Sequence, residues 1–209
     1  MNSHTLKLYS FPLSGHSHRA QLFLSFLNID AEIINVDLLN GEQKNEDFLK
    51  LNLLGQVPVL QNGDTVISDS NAILIYLAEK FDTKEEWYPK EPATRAEIQR
   101  FLSIAQNEVA HGPAAARLVT VFGRNIDHEQ AISKAQALLE KLNKHFANSA
   151  YAVGNNATIA DISLYTYIAH APEGSVSLEP YPHVVEWLNR IESLPNFIPM
   201  KSSKAGLVA

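Results

Sequence analysis

The hydrophobic pattern changes its period near residue 80. Before that point, short alternating or β-branched runs are interleaved with helical stretches. Residues 6–10, LKLYS, read as a strand. From Ser17 the spacing of Ala20, Phe23, Leu24 and Leu27 predicts a helix that ends near Asn28, and residues 32–36, EIINV, read as a second strand. A strand, a helix and a strand within about 30 residues form a βαβ unit, so the two strands are expected to be parallel. Residues 41–51 are polar, with one helical turn expected around Phe48 and Leu49. Val57, Val59 and Leu60 open a third strand. Asn62-Gly63 supplies a two-residue turn, and Val66 and Ile67 continue a fourth strand. Asp69 or Ser70 caps the next helix, which carries Ala72, Ile73, Ile75, Tyr76 and Leu77.

Beyond this region the period is helical throughout. Residues 81–94 are polar, contain prolines and break the pattern, which marks a linker. Ile98, Phe101, Leu102, Ala105 and Val109 share a helix face, Gly112-Pro113 is expected to break or kink that run, and residues 114–122 continue it. Ile132, Ala135, Leu138, Leu139, Leu142 and Phe146 line a long amphipathic helix. Thr158 and Asp161 have the spacing of a capping box before a largely apolar helix, and residues 184–194 form the last one. The expected architecture is a thioredoxin-like α/β domain over residues 1–80, in the order β-α-β-α-β-β-α, then the linker and an all-α domain over residues 95–209.

Composition narrows the chemistry. With 17 Lys and Arg against 23 Asp and Glu the net charge is −6, and no basic run is present, so a nucleic-acid partner is not expected. The absence of cysteine excludes structural disulfides and catalysis by a protein thiol. No apolar stretch reaches the ~18 residues that span a bilayer, and the first residues lack a signal-peptide core. A cytoplasmic protein is the expectation, with no membrane partner. No His-x-x-x-His or Glu-flanked histidine pair occurs, so no metal is predicted.

The candidate chemistry lies in two loops. Ser14 stands between the first strand and the first helix, where open α/β sheets bind ligands and where helix N–H groups favour an anion. Thioredoxin-like redox proteins place Cys-x-x-Cys there; this chain has Ser14-Gly15-His16-Ser17. A serine cannot form a disulfide, but it can donate a hydrogen bond to a thiolate brought by a ligand. Ser17 competes for that role, although its position favours capping the helix. Ser14 can also be read as an ordinary turn residue. His16 and His18 are expected at the surface or lining the groove, and Arg19 is expected to pair with a carboxylate across the domain interface. In the second loop Pro58 sits at the start of a strand, and Asp69-Ser70 stands at a helix mouth that attracts anions.

These residues resemble the cytosolic glutathione transferase family over essentially the whole chain. SFPLSGHSHR at 10–19, GQVPVL at 55–60, DSNAILIYL at 69–77 and TIADISLY at 158–165 carry the likeness by their order and spacing. The serine loop is most similar to serine-type bacterial members near the zeta and theta classes. The resemblance implies that Ser14 serves the sulfur of glutathione, a co-substrate. It implies that Pro58 is cis and lets the Val57 backbone pair with the cysteinyl part, beside Gln56. It places Asp69 and Ser70 on the γ-glutamyl amine and carboxylate, and Lys44 or Gln43 on the glycyl carboxylate. The TIAD segment would be a folding signature. His16, His111, Arg117 and Tyr167 are candidates near a small hydrophobic electrophile, and a homodimer is implied. Leu53 stands where many relatives have proline, and His16 where zeta relatives carry serine or cysteine. The implied activity is conjugation of glutathione to that electrophile. A glutathione-dependent isomerase or dehalogenase, or a non-catalytic binding protein on the same fold, is the alternative.

Overall fold

A computed structural model describes residues 6–204, which divide into two compact units. The first contains residues up to Thr83 together with Pro195–Lys201; the second contains Lys84–Leu194 and the residues from Ser202. Residues 195–201, grouped with the helical domain by sequence, thus pack with the first unit.

The first unit is built on a four-stranded sheet in the order β2-β1-β3-β4, with β1 Leu6–Ser10, β2 Ala31–Asn35, β3 Val59–Asn62 and β4 Thr65–Ser68. β1 pairs with β2 in parallel and with β3 antiparallel, and β3 pairs antiparallel with β4. The βαβ reading and the antiparallel second half are both present. The hairpin turn lies one residue later than expected. Asn62 is still paired with Thr65, so Gly63 and Asp64 form the turn, and of the two only Gly63 has a positive φ, +60°. A turn that needs this conformation only at its first position takes glycine there.

Helix α1, Gly15–Phe26, and helix α3, Ser70–Phe81, pack together, and their Leu22, Phe23, Ile73, Leu74 and Leu77 are fully buried with Leu8 and Leu60 of the sheet. Helix α2, Glu46–Leu51, follows a short 3-10 turn at Glu42–Lys44 and contributes Phe48 to a second cluster with Val36 and Val59, against the edge of Tyr9. The returning segment is tied to α1 by Ser25 Oγ donating to the Asn196 carbonyl at 2.7 Å and by His18 Nε2 at 2.9 Å from the Ile198 carbonyl. A carbonyl only accepts, so His18 Nε2 carries a proton. His18 is a buried anchor, so of the two expected places, surface or groove, it does not take the surface.

The second unit is helical. Helix α4, Pro92–Ile104, starts earlier than expected because Glu91 caps it, accepting the N–H groups of Ala93 and Thr94. The run does not break at Gly112-Pro113. It widens into a π-helical segment, Ala105–Ala114, and continues as α5, Ala115–Phe122. Proline has no N–H for the regular ladder, and widening the turn removes that demand without ending the helix. Gly112 permits close approach to α6, His128–Phe146, because a Cβ there would lie 2.9 Å from the Ala135 nitrogen.

Helix α7, Ile159–Ala169, is buried along nearly its whole length. Its capping box is complete. Asp161 Oδ2 accepts the Thr158 N–H at 2.9 Å, while Oδ1 takes Ala152 N–H at 2.8 Å and Trp187 Nε1 at 2.9 Å. Trp187 lies on α8, Pro182–Glu192, and stacks on Phe146 with centroids 4.7 Å apart. Burial pushes the Asp161 carboxyl up from its ordinary range, and the surrounding donors oppose that shift. No helix among the described residues is long and apolar enough to cross a membrane.

Candidate functional site

The sheet register gathers the candidate loops at one end of the first unit. Tyr9 opposes Val59, and Val59 opposes Ser68. The loop after β1, the loop before β3 and the residue after β4 therefore leave the sheet side by side. They carry Ser14, Val57-Pro58 and Asp69-Ser70.

Ser14 is the N-cap of α1. Its oxygen accepts the backbone N–H of Ser17 at 3.2 Å. This use of a lone pair leaves the hydroxyl proton to be donated. No acidic residue stands in the first turn of α1, so the positive end of the helix is not neutralised locally. Ser17 does not cap the helix as expected. It is fully buried, and its hydroxyl accepts the Phe11 N–H at 3.2 Å, fixing the loop that presents Ser14. Of the two serines, only half-buried Ser14 is placed to reach a ligand.

The Val57–Pro58 peptide is cis. The loop before it is held by Asn52, whose Nδ2 donates to the Gln56 carbonyl at 2.8 Å. Gly55 packs against the Gln43 carbonyl, where a Cβ would come within 2.8 Å. Gln43 Oε1 is buried with no hydrogen-bond partner among the described residues, whereas Lys44 is exposed.

Asp69 is exposed and adopts φ +76°, a conformation unfavourable for a residue with a Cβ and frequent where function constrains the backbone. Its Oδ1 accepts the N–H groups of Asn71 at 2.9 Å and Ala72 at 3.0 Å, which caps α3. Ser70 opens that helix and is buried. Its Oγ lies 2.8 Å from Arg19 Nη1 and 3.0 Å from His16 Nδ1, and Arg19 Nη1 also approaches His16 Nδ1 at 3.3 Å and Asn71 Oδ1 at 3.2 Å.

Arg19 donates to Ser70 Oγ; its Nη1 carries two protons for three neighbouring atoms, so the direction of the Ser70–His16 hydrogen bond follows the His16 tautomer. Burial, with the adjacent Arg19 charge, lowers the His16 pKa from 6.5 to about 3, so the ring is neutral. His16 is half-buried rather than exposed, and a ring whose pKa is held this low is a poor general base at neutral pH. Arg19 is fully buried and joins α1 to α3 through Ser70 Oγ and Asn71 Oδ1. The sequence reading missed this link. Its available signal was the three-residue spacing of His16 and Arg19, which places both on one face of a helix.

Apart from His16, the electrophile candidates lie in the second unit. His111 is exposed, with Nδ1 at 2.8 Å from the Asn107 carbonyl. Arg117 and Tyr167 are buried. Arg117 Nε lies 2.5 Å from Glu173 Oε2, and Glu173 also receives His170 Nδ1 at 2.8 Å, Ser203 N–H at 3.1 Å and Ser203 Oγ at 2.6 Å. This ion pair ties Arg117 to Glu173 within the second unit. Burial alone would raise the Glu173 pKa, but the hydrogen bonds from Ser203, His170 and Arg117 win and hold it at about 2.

Residues 4–79 match the family model for the glutathione S-transferase N-terminal domain, and residues 121–195 that for the C-terminal domain. The chain is 34% identical over 200 residues to glutathione S-transferase Z1 of Arabidopsis thaliana, covering 92% of this chain and 89% of the relative. The crystal structure of a glutathione S-transferase from Pseudomonas fluorescens superposes with a TM-score of 0.88 at 30% identity, over 94% of this chain and 99% of the other. A Drosophila mojavensis glutathione transferase homolog, solved with bound glutathione, superposes with a TM-score of 0.82 at 30% identity, over 91% and 89% of the two chains.

Proposed function

The chain belongs to the glutathione S-transferase family, and we propose that it conjugates the thiolate of glutathione to a small hydrophobic electrophile. The observation that carries this reading is Ser14. Its oxygen caps α1 and its hydroxyl proton remains to be given to a sulfur at the positive end of that helix. Glutathione lies along the loops at the end of the sheet. The Val57 backbone, beside Gln56 and Pro58, pairs with the cysteinyl part. Asp69 takes the γ-glutamyl ammonium, and Ser70, at the mouth of α3, takes its carboxylate. Lys44, exposed beside that loop, reaches the glycyl carboxylate. His16, His111, Arg117 and Tyr167 remain the candidates for the electrophile's surroundings. The protein works in the cytoplasm without a metal.

The mechanism is stabilisation of a charge. A free thiol titrates at about 8.5, so only about 3% is thiolate at pH 7; a depression of about two units, worth about 2.7 kcal/mol, makes the thiolate the major form. The Ser14 hydroxyl bonds to the thiolate and the helix end favours its charge. The thiolate attacks the electrophile, a carbon–sulfur bond forms, and the leaving group departs with its electron pair. Ultraviolet titration of bound glutathione is the direct test. We expect a thiolate pKa well below that of the free tripeptide, with the depression lost in Ser14→Ala. A pKa equal to the free value in the unmodified protein would rule the mechanism out.

We further propose a homodimer. Leu53 and Leu54, in the loop before Pro58, are 82% and 67% exposed, an unusual cost for adjacent leucines on a monomer. Sedimentation velocity at micromolar concentration should give one species of twice the chain mass. A Leu53→Asp/Leu54→Asp variant should shift it toward monomer, and an unshifted dimer would remove these leucines from the interface.

A further inference from the structure

We infer that Asn52 is a positioning residue for glutathione. It holds the Gln56–Val57 peptide so that the Val57 N–H meets the cysteinyl part of the tripeptide. The inference rests on the reading above that the Val57 backbone pairs with that part, and it names the side chain on which the pairing depends.

Asn52 closes the C-terminal end of α2 and is only 6% exposed, a buried amide in a loop whose Leu53 and Leu54 lie open to solvent. Its Oδ1 accepts the Leu54 N–H at 3.1 Å, and its Nδ2 donates to the Gln56 carbonyl at 2.8 Å. Each partner is a main-chain group with a single role: the N–H only donates and the carbonyl only accepts. The orientation of the amide is therefore unique. The main chain of Asn52 is fixed as well. Its N–H goes to the Phe48 carbonyl at 3.0 Å, and its carbonyl accepts the Gly55 N–H at 2.9 Å. Gly55, at φ +59°, leaves no room for a side chain against the Gln43 carbonyl. Phe48 belongs to the apolar cluster against which the Val57 side chain also packs, so both ends of the loop share one anchor.

What these bonds fix is a peptide plane. The Gln56 carbonyl and the Val57 N–H belong to one peptide group. Among the described residues the Val57–Pro58 bond is the only cis one, so the Gln56–Val57 bond is trans. In a trans peptide the C=O and the N–H point in opposite directions. Drawing the carbonyl to Asn52 turns the Val57 N–H away from the interior of the loop. A hydrogen bond to the carbonyl also polarises the same group and makes its N–H a better donor. Asn52 thus acts on the ligand through the backbone, without touching it.

Steady-state kinetics and amide nuclear magnetic resonance test this. Asn52→Asp keeps the size of the side chain and the acceptor for Leu54, but sets a carboxylate against the Gln56 carbonyl. It should raise the half-saturation for glutathione about tenfold, equivalent to about 1.4 kcal/mol. Turnover at saturating glutathione should stay within about twofold, and the thiolate pKa should stay depressed, because Ser14 is untouched. Asn52→Ala should raise the half-saturation by no more than Asn52→Asp. A misfolded fraction lowers apparent turnover and leaves half-saturation where it was, so it does not reproduce this pattern. In isotope-labelled protein, S-methylglutathione should shift the Val57 amide signal and, through the shared peptide group, the Asn52 side-chain signals. An unchanged half-saturation in Asn52→Asp, or a loss confined to turnover, would overturn the inference. If neither variant folds, the unmodified protein decides: Val57 and Asn52 signals that shift together support the inference, and a Val57 shift without an Asn52 shift overturns it. The Val57 signal also separates the two possible failures. If S-methylglutathione leaves it unmoved in the unmodified protein, the pairing of Val57 with the tripeptide is wrong. If it shifts equally in the unmodified protein and in Asn52→Asp, only the role of Asn52 falls.

Discussion

Ser14 and Ser17 show how far residue identity and position can be separated. Both are serines at the same helix start, and the sequence leaves their roles exchangeable. The structure divides them by what each oxygen accepts. Ser14 takes an N–H of the first turn, while Ser17 turns inward to Phe11. The division gives a contrast that can be measured. At pH 7, loss of a two-unit depression reduces the thiolate fraction about 25-fold, and turnover of Ser14→Ala should fall by that factor. Ser17→Ala removes a buried hydrogen bond, so it should lower stability by about 1 kcal/mol and keep the thiolate pKa. A depressed pKa retained in Ser14→Ala and lost in Ser17→Ala would exchange the two roles. What sequence could not supply was the direction of each side chain, which depends on where the Phe11 N–H ends up. The same holds for His16: nothing in the linear pattern announces that Ser70, 54 residues later, meets its Nδ1.

Elements were more legible than residues because their signals are local. The Thr158–Asp161 spacing identifies the start of α7 correctly, since both partners of the capping box lie within one turn. Its further partners are not local. Asp161 also accepts from Ala152 and from Trp187 on α8, so one carboxylate fixes a helix start, a preceding loop and a packed neighbour. Asp161→Ala would leave several buried donors without their acceptor, at about 1–3 kcal/mol each. We expect a loss of at least about 3 kcal/mol in denaturant unfolding, with quenching contacts of Trp187 disturbed in its fluorescence. A loss below 1 kcal/mol, by the same scale, would show that water replaces the carboxylate freely. The long helical run shows the opposite limit. Gly112-Pro113 predicts a break or kink from local rules, and with α6 packed against Gly112 the disturbance takes the form of a widened, continuous helix. The hairpin was misplaced by one residue for a similar reason, because the register of β3 on β1 carries Asn62 into the sheet.

At the scale of the whole molecule, two groups with depressed pKa values set the response to acid. His16 has an ordinary value of 6.5 and is held at about 3 in the folded chain, and Glu173 has an ordinary value of 4.5 and is held at about 2. In each case the unfolded chain binds the proton first. Stability from these groups is complete above the unfolded value and is lost as pH falls toward the folded one, at up to about 1.4 kcal/mol per pH unit for each proton. The windows differ: from pH 6.5 toward 3 for His16, and from 4.5 toward 2 for Glu173. They also belong to different units, since Glu173 binds Arg117 and Ser203 in the helical one. Acid should therefore weaken the first unit before the second, beginning at a pH where most carboxylates are still ionised. Urea unfolding from pH 7 to 3 checks this. Unmodified protein should lose stability from pH 6.5 downward, His16→Asn should lose less between 6.5 and 4.5, and Glu173→Gln should differ in slope only below 4.5. Parallel curves for the unmodified protein and His16→Asn through the upper window would mean that His16 titrates normally. The buried neutral ring beside Arg19 would then not exist at working pH.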